Sequence, residues 1–270
     1  MSSDLLLDLC EQYIDQMRHK GNTKLAQLNV ELDTRKSSTV FLSWAMYLAD
    51  DSFTSSEILR LSKEDQEIGP GPVAQNIFEP DKNFSFSDKL ELHTKAIKII
   101  EIAWPQLFDL NTIIKPRFCP PTSDMPFESV SDPKIFTQIY FLMSRDTPTG
   151  WAEIIAHELG HQYLFVLYAA FHKKIDAPWK ETFHSAIRRT QRPLIGIMHG
   201  AVAEAFMIRL ATGILDSGEL VEYFSEAREL LTRQSENFVD DYATIVKHGA
   251  HRLHPTLESF LAETSELVGK

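Results

Sequence analysis

Apolar positions along the chain mostly recur at helical spacing and are broken by glycine and proline clusters, which predicts a largely helical protein with few strands. Residues 4–20 form an amphipathic stretch closed by Gly21, a helix with a glycine stop. Residues 40–49 are apolar nearly all round, which predicts a second, buried helix. Thr54-x-x-Glu57 is the reciprocal capping arrangement that opens a third. Gly69-Pro-Gly-Pro72 then ends the pattern, and a loop or linker follows to about residue 84. Residues 1–85 are thus expected to form a helical N-terminal subdomain with its linker, and residues 86–270 the main domain. Nothing in the first part groups chemistry-bearing side chains; Cys10, His19 and Trp44 read as packing or surface residues.

Helical spacing resumes over residues 87–104, with Ile97, Ile100 and Ala103 or Trp104 on one face. Pro105 is expected to interrupt it. Residues 112–118 read as a short strand ended by Cys119-Pro-Pro, with a polar loop through Pro133. Residues 136–143 carry β-formers on both faces, which predicts a buried strand; beside an active-site helix such a strand can pair with an extended peptide. Thr147-Pro148 supplies an N-cap and a first-turn proline for a helix reaching about His172. A further helix is expected across the apolar run that ends at Phe206. Asp216-x-x-Glu219 reads as the capping box of a long amphipathic helix through Leu220, Phe224 and Leu231. Gly249 stops it, and residues 256–268 form the last. The expected class is α+β, mostly α-helical, with a small sheet beside the helix that carries residues 151–162.

Composition narrows the function classes. The chain has 270 residues, enough for one large domain or two small ones. Its 38 acidic and 27 basic residues give a net charge of −11, which argues against nucleic acid and against an anionic membrane surface. A peptide partner is expected to be basic or neutral. No apolar run is expected to reach membrane-spanning length, and the first fifteen residues carry acids where a signal peptide has basic and then apolar residues. The two cysteines, Cys10 and Cys119, lie far apart and imply no disulfide scaffold, so a cytoplasmic location is expected.

The chemistry concentrates in Trp151-Ala-Glu-Ile-Ile-Ala-His-Glu-Leu-Gly-His-Gln162. His157 and His161, in the order H-E-x-x-H, fall ~40° apart on one helix face and can close on a single metal ion. Glu158 lies ~100° from His157, within reach of a metal-bound water. Ile154, Ile155 and Ala156 give the motif the apolar setting of a buried helix. Glu153, one turn before His157, could orient that imidazole. His172 returns to the same face ~16 Å along the axis, too far to share the ion. Leu164 and Leu167 stand where a metzincin carries glycine and histidine, which excludes that class. A third ligand must come from Arg192-Pro-Leu-Ile-Gly-Ile-Met-His-Gly-Ala-Val-Ala-Glu204. His199 would give a three-histidine site and Glu204 the His-His-Glu set of thermolysin-like zinc peptidases; the two lie ~140° apart on one helix. His248, His251 and His254 are spaced by three but broken by Gly249 and Pro255, and read as a solvated helix end.

The order Ala177-Pro-Trp-Lys180, then Arg192-Pro-Leu-Ile-Gly-Ile-Met-His-Gly200, after the H-E-x-x-H motif, resembles the HExxH-domain peptide-modifying enzymes. These are the 2-oxoglutarate-dependent peptide β-hydroxylases of modified ribosomal peptide pathways. The resemblance covers roughly residues 86–270 and rests on motif order. Lys180 stands where the family usually has arginine, and Glu204 where it more often has an apolar residue. The resemblance implies Fe(II) held by His157, His161 and His199, with positions left open for 2-oxoglutarate and O₂. It implies hydroxylation of a β-carbon in a precursor peptide, with Arg192 gripping the distal carboxylate of the co-substrate and Glu158 behind the ligands. The alternative is a zinc peptidase that uses Zn²⁺ on His157, His161 and Glu204, with Glu158 as general base. A third reading is a metal-stabilised peptide-binding protein without turnover.

Overall fold

The computed structural model describes residues 86–114, 117–119, 128–131, 138–141, 145–171, 180–249 and 253–269. The helices and linker expected within residues 1–85 lie outside them, with Cys10, His19 and Trp44; so do Phe136, His172, Trp179 and His251. The described elements are α1 (Phe86–Ala103), α2 (Pro105–Ile114), β1 (Arg117–Cys119), β2 (Ser129–Ser131), β3 (Gln138–Phe141), α3 (Pro148–Phe171), β4 (Thr182–Ser185), β5 (Thr190–Pro193), α4 (Leu194–Asp216), α5 (Phe224–Gly249) and α6 (Pro255–Val268). The fold is α+β and mostly helical.

Helix α4 is the centre. It packs against α1, α3, α5, α6 and the β4–β5 hairpin, and 14 of its 23 residues are buried. A helix with neighbours on every side is apolar on every side. The helix has 23 residues, and an 18-residue window of it, with a mean hydropathy of 1.5, is apolar enough to cross a bilayer by length and composition, yet 72% of that window is buried within the fold. The expectation that no apolar run reaches spanning length therefore fails on this core helix. His199, Glu204 and Arg209 interrupt its sequence without lowering its average enough.

Helix α3 begins as its sequence predicts. Thr147 caps it, accepting a bond from the Gly150 amide at 3.1 Å, and Pro148 occupies the first turn, where no amide donor is needed. Trp151 is wholly buried and its indole nitrogen donates to the Arg145 carbonyl at 2.9 Å. Burial of a ring of that size contributes on the order of 3 kcal/mol. Helices α3 and α4 approach closely at Gly160. A Cβ there would stand 3.1 Å from the Ala203 Cα and 3.2 Å from the Phe206 Cγ, so any larger residue forces the helices apart.

Several elements differ from expectation. Pro105 opens α2 instead of ending a helix, because proline suits a first turn; Leu107, Leu110 and Ile114 then turn a helical face into the core. The strand expected over residues 112–118 shrinks to β1. A second strand, β2, appears inside the expected polar loop, since backbone pairing with β3 holds a Ser-Val-Ser segment that has no hydrophobic pattern of its own. β3 lies between β1, parallel, and β2, antiparallel, with Ile139 opposite both Phe118 and Ser131. Both its edges are occupied, so it cannot accept a peptide strand. Asp216 ends α4 and caps nothing; α5 starts only at Phe224, after a 3-10 turn at Val221–Tyr223. The β4–β5 hairpin, whose register pairs Phe183 with Arg192 and Ser185 with Thr190, was not foreseen.

Candidate metal centre

On α3 the Nε2 atoms of His157 and His161 are 3.2 Å apart, with ring centroids 4.8 Å apart and planes at 85°. An ion ~2.1 Å from both nitrogens would see them at ~100°, between octahedral and tetrahedral angles. The same separation suits a hydrogen bond between one protonated and one bare ring nitrogen. The close approach at Gly160 brings α4 alongside, and its His199 ring lies 5.6 Å from that of His161, inclined at 39°. The α3 pair converges and His199 stands beside it. Among the described residues no group of three His, Cys, Asp or Glu side chains is closed around a metal position.

All three imidazoles are held neutral, the form in which a ring nitrogen can bind a metal. Burial pushes His157 down to about 4, assisted by the positive charge of Arg188. This ring keeps 32% of its side chain exposed; one edge reaches solvent while the surrounding protein still disfavours the cation. His161 is pushed well down by burial and by its two histidine neighbours. His199 is pushed down to about 4 by burial, with Arg192 adding to it. The Nδ1 of His161 is buried and finds no hydrogen-bond partner among the described residues.

Glu158 is 1% exposed. Its Oε2 accepts a short hydrogen bond from the Ser131 hydroxyl on β2, and its Oε1 lies 3.9 Å from His157 Nε2. Burial lifts its carboxyl to about 7, against hydrogen bonds from Ser129 and Ser131 that favour the carboxylate. The alternation of a strand puts both serines on the face that meets α3. Neither was a candidate in the sequence, where Ser-Val-Ser carries no signal beyond its alternation.

Glu204 is equally buried, at 1%, but sits elsewhere. Helix α4 already runs from Leu194, so the ~140° step from His199 applies. A Cβ on Gly200, one turn before Glu204, would lie 3.7 Å from Asp241 Oδ2 of α5. That side of α4 faces α5. Both Glu204 oxygens lack hydrogen-bond partners among the described residues. Burial, then the charge of Asp241, lifts its carboxyl to about 9. Glu153 does not orient His157: its carboxylate accepts from Arg233 of α5 at 2.6 Å.

Arg192 is half-buried on β5, with its guanidinium against α4. Nε and Nη2 each lie 3.4 Å from where a Cβ on Gly196 would stand. Arg188, in the hairpin turn, was not singled out by the sequence, yet its charge bears on His157, His161 and Arg192. Lys180 is exposed. His248 stacks on Phe183 at 4.2 Å, and His254 Nδ1 accepts from the Thr256 amide at 3.2 Å as the cap of α6. Those two serve packing and capping. A comparison with protein-family models finds no match, and a comparison with curated protein sequences finds none either.

Proposed function

We propose that the chain is an Fe(II)- and 2-oxoglutarate-dependent hydroxylase acting on a β-carbon within a peptide, as a cytoplasmic enzyme with residues 1–85 as a helical subdomain. One observation carries the choice of ligands. His199 lies beside the converging pair of α3, whereas Glu204 points to the α5 side of α4. His157, His161 and His199 would hold the ion, and Arg192 would pair with the far carboxylate of the co-substrate. With 2-oxoglutarate and O₂ the ion would supply the oxidation of a C–H bond. The chain's own part is then to keep three imidazoles uncharged, to place a cation next to them, and to fix Glu158 behind them through Ser131. Anaerobic loading with Fe(II) followed by optical titration with 2-oxoglutarate tests this reading. A weak visible charge-transfer band that saturates with co-substrate is the expected result; its absence sinks the proposal.

One observation favours zinc peptide hydrolysis as a second reading. Glu158 lies 3.9 Å from His157 Nε2, where a carboxylate could take a proton from metal-bound water. Cleavage of an unbiased peptide library by the Zn²⁺-loaded protein, lost in Glu158→Gln, would move the chain to that class.

A further inference from the structure

The β4–β5 hairpin is charged against the trend of the molecule. Over residues 180–193 it carries Lys180, Arg188, Arg189 and Arg192 against a single acid, Glu181, in a chain whose net charge is −11. Elsewhere Arg145, Arg209 and Arg233 pair with Glu128, Glu263 and Glu153, while among the described residues the exposed Arg228 forms no such pair. The three arginines of the hairpin have no acidic partner within salt-bridge distance among the described residues.

The hairpin is also fixed in place beside the histidines. Asp241 of α5 accepts from the Ala186 amide at 2.7 Å and from the Ser185 hydroxyl at 3.3 Å, which anchors the turn. Ile187 seats on Gly200, its Cδ1 only 2.5 Å from where a Cβ would be, and Arg192 rests on Gly196. Gly196 and Gly200 are one turn apart on α4, and His199 lies between them in sequence. Arg188 and Arg189 follow Ile187 directly and are exposed. Exposed cations with no acidic partner among the described residues, on an anchored turn at the edge of a buried neutral cluster, form a recognition surface for carboxylates.

We infer that the Arg188–Arg192 hairpin is the substrate-docking rim of the histidine site and that it selects peptides with an acidic side chain near the residue acted on. The inference rests on the reading that this site acts on a peptide. It departs from the expectation of a basic or neutral peptide, because the hairpin is locally positive although the molecule is acidic. Arg192, half-buried, remains with the co-substrate; Arg188, at the rim, meets the peptide.

The test uses the full chain and an array of matched peptides that differ only in an Asp, Asn or Lys pair at the centre. At low salt the Asp members should be retained roughly fivefold better than the Asn members, and the Lys members least, with the difference shrinking as salt rises. Arg188→Glu should invert the order; Arg188→Gln, which keeps the turn uncharged if the reversal disturbs folding, should level it. Equal retention of Asp and Asn members, including retention of neither, overturns the inference, as does an unchanged order in both variants. Displacement of the Asp peptides by free succinate at equal concentration would make the rim a small-anion site and overturn it too. The ferrous 2-oxoglutarate band, recorded in parallel for wild type and Arg188→Glu, separates the two claims. A band without Asp preference removes the rim alone, and Asp preference without a band removes the oxygenase reading alone.

Discussion

Glu158 and Glu204 sit on adjacent packed helices, each 1% exposed, and their polar surroundings differ. β2 brings Ser129 and Ser131 to Glu158, while no described residue offers Glu204 a donor. The consequence is a carboxyl lifted to about 7 in one case and to about 9 in the other. Burial sets the direction for both; the serine donors hold Glu158 back, and the charge of Asp241 pushes Glu204 further. Glu158 is therefore a positioned group, oriented by a strand and facing the histidines. Glu204 is a buried acid on the α5 side of α4, with Asp241 as its charged neighbour.

The sharpest way to break this contrast is to remove each candidate third ligand. His199→Ala should weaken ferrous binding by more than the ~10–100-fold typical of losing a group behind the ligands, whereas Glu204→Gln should leave affinity within about twofold of wild type. Metal titration with a competing chelator reads both, and the opposite ranking would return Glu204 to the site. Glu204 should instead show itself in stability. Its folded pKa, about 9, stands above an ordinary unfolded carboxyl value, so folding favours the protonated form. That contribution is complete below the unfolded pKa, near pH 4.5, and is lost as pH rises towards 9, with a slope of up to ~1.4 kcal/mol per unit. Asp241 across the interface, itself raised by burial, is the charge that adds to it. Urea unfolding at several pH values should show Glu204→Gln flattening the decline, and an identical profile for the two proteins would contradict the assignment.

Smaller effects refine the Glu158 side. Ser131→Ala leaves the Glu158 oxygen it served without that donor and should cost about 1–3 kcal/mol in chemical denaturation. Ser129→Ala, with Ser131 still in place, should cost about 1 kcal/mol or less. Equal losses from the two would mean that Ser131 is not the principal support.

Much of the helical frame was legible because each helix carries its own signals. Thr147-Pro148 marks the start of α3 and Gly249 the stop of α5, whereas Pro255, read as a breaker, is the first residue of α6. The placement of His157 and His161 on one face follows from spacing alone. What escaped depends on partners distant in sequence. β2 exists through its register with β3, Pro105 could be read as an end or a beginning, and Arg188 matters only because Asp241 and Gly200 fix the hairpin. His199 and Glu204 stand ~140° apart on α4, and spacing alone does not say which side of that helix faces α3. The apolar run of α4 was readable residue by residue, but its role as the core helix follows from the four helices around it.

That central position has a consequence for the order in which the chain is made. Synthesis delivers α4 before α5 and α6, the helices that close over one side of it. The 52 residues from Ser217 to Val268 must follow first, which takes ~3–10 s at ordinary elongation rates. During that interval the emerging polypeptide presents a segment as apolar as a membrane span without its cover. The hydrophobicity that organises the finished domain thus leaves the growing chain exposed for that time to insertion machinery, chaperones and self-association, and the packing of the apolar face of α5 on α4 is what ends it.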